Sequence, residues 1–199
     1  MVGADHDCWE PLQPAEVARM LRGCTARWWI AGGYAIDLFV GELDRRPHED
    51  LDVGLLAPEQ DLLRASLAGW DLHCADPPGT LRPWRRREFL TEPIHDVWAR
   101  EQAGGPWRLQ LVLNPSDSDT WIYRRDARIR RPVASLVERF EGIPYLAPEV
   151  QLLFKSKAVR PKDEQDLVAA LPLLEPSRRE WLREAMRITA PEHPWLQRL

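Results

Sequence analysis

The stretch AGGYAIDLFVGELDRRPHEDLDVGLL, residues 31–56, decides the fold. It follows the apolar run ARWW, which reads with Ile30 as a short buried strand. Gly32 and Gly33 stand where that strand turns into a helix, which the pattern carries from Gly33 to about Val40. The loop after it ends in His48, Glu49, Asp50, Leu51 and Asp52, and residues 50–56 read as a second buried strand. Residues two apart on a strand point to the same face. Asp50 and Asp52 are therefore expected to project together while Leu51 and Val53 pack behind them. Two carboxylates that close repel each other unless a cation sits between them or one is protonated. Paired carboxylate oxygens suit Mg²⁺, which also takes oxygens from substrate phosphates. The plain alternative is a strand end emerging into solvent, where neighbouring acids cost little.

The upstream glycines favour the first reading. A Gly-Gly between strand and helix lets a phosphate come close to the backbone, and the first amides of the helix, with its dipole, favour an anion there. A phosphate cradle ahead of a divalent-metal pair is the layout of a nucleotide-handling site. The chain has neither a Walker P-loop nor the G-x-G-x-x-G of dinucleotide folds.

Working outward, PAEVARMLRGC from Pro14 has Val17, Met20, Leu21 and Cys24 at helical spacing. APEQDLLRASLAGW reads as a helix with Leu62, Leu63 and Leu67 on one face, and DLHCA as a weaker strand. Residues 76–88 are loop-like and basic. IHDVWAR and WRLQLVLNP are strands joined through EQAGGP, a hairpin pattern. From about Pro148 the chain turns helical. The expected architecture is an α/β (α+β) chain: a small mixed sheet flanked by helices over residues 1–140, and a helical region over 141–199 packed on it.

Composition narrows the function classes. The net charge of −4 and the absence of a basic footprint at whole-chain level make nucleic acid an unlikely partner class. Three cysteines, Cys8, Cys24 and Cys74, fit no zinc or disulfide pattern. The N-terminal residues show no leader pattern and no run is long enough to span a membrane, so the expectation is a cytoplasmic protein. Of 27 basic residues only three are lysines, Lys155, Lys157 and Lys162, and they cluster.

The string GGYAID…G…RRPHEDLDV resembles the nucleotidyltransferases of the DNA polymerase β superfamily, and most of all the aminoglycoside and lincosamide nucleotidyltransferase group. Members carry Gly-Gly or Gly-Ser at a helix start, then Asp-x-Asp at the head of the next strand, with a third acid from a later strand. In the antibiotic-modifying branch the loop often reads Arg-x-His-x-Asp-x-Asp, which Arg46, His48, Asp50 and Asp52 fit. The resemblance continues more loosely through LAPEVQLLFKSKAVRPKDEQDL. It implies a Mg²⁺-dependent transfer of a nucleoside monophosphate, AMP foremost, from a nucleoside triphosphate to a hydroxyl of an aminoglycoside- or lincosamide-like molecule, with release of pyrophosphate.

The resemblance also asks for a third carboxylate, and IHDVW offers Asp96. Asp50, Asp52 and Asp96 are thus the expected catalytic and metal-holding residues, with Asp96 as general base. Gly32, Gly33, Arg46, His48 and either Lys155 or Lys157 are the expected nucleotide contacts. Trp98 shares the face of Asp96 and is a candidate to stack on a base or sugar, whereas His95 is expected to face away. Asp37 reads as a local capping or pairing residue. Asp163 and Asp166, three apart, read as structural partners for the lysines or Arg160. The arginine-rich run 124–131 reads as a solvated face, with an acidic substrate or RNA as the functional alternative. A homodimer or partner protein completing the site is compatible with the superfamily. Two other functions compete: a nucleotidyltransferase-like antitoxin acting on or binding a protein, and a degenerate binding module.

Overall fold

A computed structural model of the chain describes residues 8–43 and 45–199. Residues 1–7, part of the N-terminal stretch read above for a leader pattern, lie outside the described residues. After α1 (Pro14–Met20), β1 (Trp28–Ile30) runs into α2 (Gly32–Val40), and β2 (Asp52–Leu56) follows the loop. Then come α3 (Gln60–Ser66), β3 (Asp71–Ala75), β4 (Leu81–Pro83), β5 (Asp96–Arg100) and β6 (Leu109–Asn114). Three short strands, β7 (Ser116–Asp117), β8 (Thr120–Ile122) and β9 (Arg130–Pro132), precede the hairpin of β10 (Val137–Phe140) and β11 (Ile143–Leu146). The chain ends in α4 (Pro148–Lys155), α5 (Pro161–Ala170) and α6 (Pro176–Thr189).

The main sheet is mixed and has eight strands in the order β10-β11-β1-β2-β6-β5-β3-β4. β1 pairs antiparallel with β2, β2 parallel with β6, and β6 antiparallel with β5. A separate small sheet takes β7, β8 and β9. The mixed sheet flanked by helices is the expected fold class. β11 pairs parallel with β1, so the hairpin that straddles residue 140 belongs to the main sheet.

Apolar residues at alternate positions build one face of the central strands: Val53, Leu55, Leu111 and Val97 share it and are buried. α2 packs against α4 and α5, and α4 against α6, so the C-terminal helices close over the glycine turn. In α3 the single-face expectation fails for one residue: Leu63 and Leu67 are buried, but Leu62, about 100° round the helix from Leu63, is 48% exposed. Among the described residues no helix is long and apolar enough to cross a membrane. All three cysteines are free thiols.

Candidate active site

β1 and β2 bring the glycine turn and the aspartates together. The N–H of Ala31, the residue before α2, donates to the carbonyl of Asp52 at 2.8 Å. Gly32 sits directly against the Asp52 side chain with φ +67°, so a Cβ there would collide with Asp52 Oδ2 and the backbone would be strained as well. A Cβ on Gly33 would collide with the Arg46 guanidinium and the His48 ring. Both glycines are therefore demanded by close approach.

Asp50 lies just ahead of β2 rather than in it, which corrects the expectation of a strand from residue 50. The Gln110 N–H bonds the carbonyl of Leu51 at 2.8 Å, so the ladder begins one residue after Asp50. Asp96 heads β5 two strands away. Asp52 stands opposite Gln110, and Asp96 stands opposite Val112, two residues further along β6. Asp52, Gln110, Val112 and Asp96 thus share one face of the sheet.

The three carboxylates feel one another. Burial first, then the negative charges of Asp50 and Asp96, push the Asp52 carboxyl up to about 7, against a weaker pull from Lys155 and Arg160. Asp52 is half-buried, and it lines two adjoining cavities. One, of about 340 Å³, is walled by Gly32, Gly33, Arg46, Asp50, Lys155 and Lys157, with Arg160 and Lys162. The other, of about 200 Å³, is walled by Asp96, Gln110, Asn114, Arg124 and Arg125. The first is rimmed by cations and the second by acids and arginines, so the pair offers a cationic side and an acid side across Asp52.

A buried ion network holds the cationic rim. Asp166, fully enclosed in α5, accepts from Arg46 Nε and Nη2 at 3.0 Å each, from Arg45, and from Lys155 Nζ at 2.8 Å. Asp163 accepts from Lys155 Nζ at 3.0 Å and from Arg160 Nε at 2.8 Å, and these contacts hold its carboxyl down at about 2 in spite of burial. Asp163 and Asp166 are thus the structural partners that their spacing suggested. Lys155 reaches the cavity with its charge shared between two carboxylates. Lys157 is exposed on the same cavity and has no ion-pair partner among the described residues.

His48 turns away from the cavities. Its Nε2 lies 2.6 Å from Asp37 Oδ2, and its ring stacks on Tyr34 at 3.8 Å. Its contacts are with Asp37, which pairs locally as expected, and not with Asp50. Trp98 packs edge-on against Trp9 and Trp107, at 4.9 and 5.5 Å, and lines neither cavity. The expected stacking role for Trp98 has no support in this arrangement. His95 also departs from expectation: its Nε2 lies 3.2 Å from Asp96 Oδ2, because the chain ahead of β5 bends and the strict alternation does not reach it.

Three contributors escaped the sequence reading. Gln151 of α4 accepts the Gly32 N–H at 2.8 Å and so fixes the glycine turn, with no local pattern to announce it. Arg124 and Arg125 come from the arginine run taken as a solvated face, and both line the acid-side cavity. The signal was present in their basic charge, but only the tertiary fold separates them from the exposed arginines that follow.

Oxygen donors from Asp50, Asp52 and Asp96 are the chemistry Mg²⁺ prefers, and the raised Asp52 carboxyl marks a cluster short of positive charge. Among the described residues no three His, Cys, Asp or Glu side chains already encircle an ion position.

Comparison with known proteins agrees with this geometry. The model of the aminoglycoside-2''-adenylyltransferase family matches residues 15–72, which contain both glycines and the aspartate pair. The chain superposes on lincosamide antibiotic adenylyltransferase LnuA, solved with lincomycin bound, at a TM-score of 0.54 and 15% identity, covering 80% of this chain and 95% of that one. It has the nucleotidyltransferase fold of the aminoglycoside and lincosamide group. The solution structure of the antibiotic-resistance factor ANT(2'')-Ia gives a TM-score of 0.57 at 18% identity, covering 90% of this chain and 92% of that one. ANT(2'')-Ia in complex with adenylyl-2''-tobramycin gives 0.54 at 12%, covering 88% and 96%. The resemblance read from residues 31–53 is thereby borne out, and the proteins it points to are adenylyltransferase enzymes. A sequence search of curated proteins finds no match.

Proposed function

We propose that this nucleotidyltransferase fold transfers a nucleoside monophosphate, AMP foremost, from a nucleoside triphosphate to a hydroxyl of an aminoglycoside- or lincosamide-like small molecule. The observation that carries the reading is the crowding of Asp50, Asp52 and Asp96 around one half-buried carboxyl, beside a glycine turn and a cationic cavity. Asp50, Asp52 and Asp96 would hold Mg²⁺, which when bound offsets the phosphate charge and polarises the α-phosphoryl group.

The chain's own residues then have assignable work. The amides that follow Gly32 in the first turn of α2, Gly32 itself being held by Gln151, and the exposed ammonium of Lys157 meet the β- and γ-phosphates. Arg46 and Lys155, fixed by Asp166 and Asp163, add positive potential without having to be ordered during the reaction. Asp96 takes the proton of the acceptor hydroxyl. The acceptor oxygen bonds to the α-phosphorus, the bond to the bridging oxygen breaks, and its electron pair departs with pyrophosphate. Positioning and electrostatics supply most of the acceleration in such transfers.

The test is pyrophosphate release with Mg²⁺, each nucleoside triphosphate, and a panel of hydroxylated acceptors. Acceptor-dependent release abolished in Asp52→Asn supports the proposal. Folded protein that binds Mg²⁺-nucleotide but releases pyrophosphate with no acceptor speaks for a binding module instead.

A further inference from the structure

We infer that a third, apolar cavity beside Asp96 is the acceptor pocket, and that it takes an amphipathic hydroxyl compound with at most one positive charge, not a polycation. This inference rests on the transfer reaction proposed above. The cavity holds about 400 Å³, within the range of small-molecule sites. Phe89, Ile94, Leu113 and Pro115 give it apolar walls. Its charged or titratable lining groups are Glu92, Arg124 and His95. One carboxylate balanced by one guanidinium does not provide the several anionic partners that a polyamine needs when it leaves water.

Its position ties it to the chemistry. His95 lines it, with Nε2 3.2 Å from the Asp96 carboxylate. Arg124 lines both this cavity and the one that holds Asp52 and Asp96. Arg124 Nε is buried and has no hydrogen-bond partner among the described residues, a donor that costs stability until an acceptor oxygen reaches it. Phe89 leaves a large ring 51% exposed at the same cavity, apolar surface that a ligand would cover. An oxygen-bearing apolar compound satisfies Arg124, covers Phe89, and sets a hydroxyl toward Asp96.

The experiment compares two acceptor panels at fixed Mg²⁺-ATP: amphipathic hydroxyl compounds of one or no charge, lincomycin among them, and polyamines such as tobramycin. Calorimetry first checks Mg²⁺-dependent nucleotide binding. If that binding is absent, the transfer reading itself fails, and this pocket assignment falls with it. With binding present, kcat/KM at least tenfold higher for an amphipathic acceptor supports the inference. So does a rise of about tenfold in its KM in Phe89→Ala with kcat little changed, as lost apolar burial predicts. Polyamines turned over as well or better, an unchanged KM in Phe89→Ala, or no turnover of any amphipathic compound would each overturn it while leaving nucleotide binding intact.

Discussion

Asp52→Asn should stabilise the metal-free protein while abolishing its chemistry. The Asp52 carboxyl has an ordinary value of 3.8 and is pushed up to about 7 in the fold, by burial and by Asp50 and Asp96. Between those values the unfolded chain has released the proton and the folded chain still holds it, so rising pH favours unfolding across this window. Above about 7 the folded protein carries the full cost, which converts to about 4 kcal/mol. Asparagine has the shape of the protonated acid and never ionises. At pH 8 without metal the variant should therefore be more stable by up to about 4 kcal/mol, roughly 10 °C in Tm for a chain of this size. At pH 4.5 the difference should shrink to about 1 kcal/mol. Urea unfolding in EDTA at the two pH values measures both numbers. Adding Mg²⁺ with ATP should raise the wild type and leave the variant unmoved. A variant less stable than wild type at pH 8, or a gap of the same size at both pH values, would refute the reasoning.

Other outcomes follow from the same geometry. Asp166→Asn leaves Arg45, Arg46 and Lys155 without their shared buried carboxylate, and should cost about 3–5 kcal/mol in denaturant unfolding. Asp163 is held down at about 2, so its contribution is in force above its ordinary value of 3.8 and is lost as pH falls toward 2. An acid titration of stability that loses this component in Asp163→Asn checks it. Lys157→Ala should weaken nucleotide binding in calorimetry with Tm unchanged, because the side chain is exposed and has no ion-pair partner among the described residues. Asp96→Asn should weaken Mg²⁺-nucleotide binding without abolishing it, since Asp50 and Asp52 remain, and lower kcat about 10²–10⁴-fold, the range of a lost general base.

The residues that sequence made readable are those whose reason is local. Gly32 and Gly33 mark a strand-to-helix turn, and the structure shows that side chains pressed against them leave no room for a Cβ. Asp163 and Asp166 share a helix face by spacing, and there they pair with Lys155. The hairpin of β10 and β11 was not read, because its place beside β1 depends on a parallel pairing of Ile30 with Tyr145, far apart in the chain. Gly54 looks like a weakness inside β2 until the Trp29 indole is seen lying where its Cβ would be. Arg124 shows the limit of reading charge runs: Arg128 and Arg130 of the same run are exposed, while its own Nε is enclosed against two cavities. His95 escaped because alternation was carried one residue beyond the strand.

The most direct test of the account is calorimetric titration of each nucleoside triphosphate with Mg²⁺ into the wild type and into an Asp50→Asn, Asp52→Asn double variant. The account predicts binding by the wild type that requires Mg²⁺ and is lost in the double variant while its fold persists. Equal binding by both proteins, or none by a folded wild type, would contradict it.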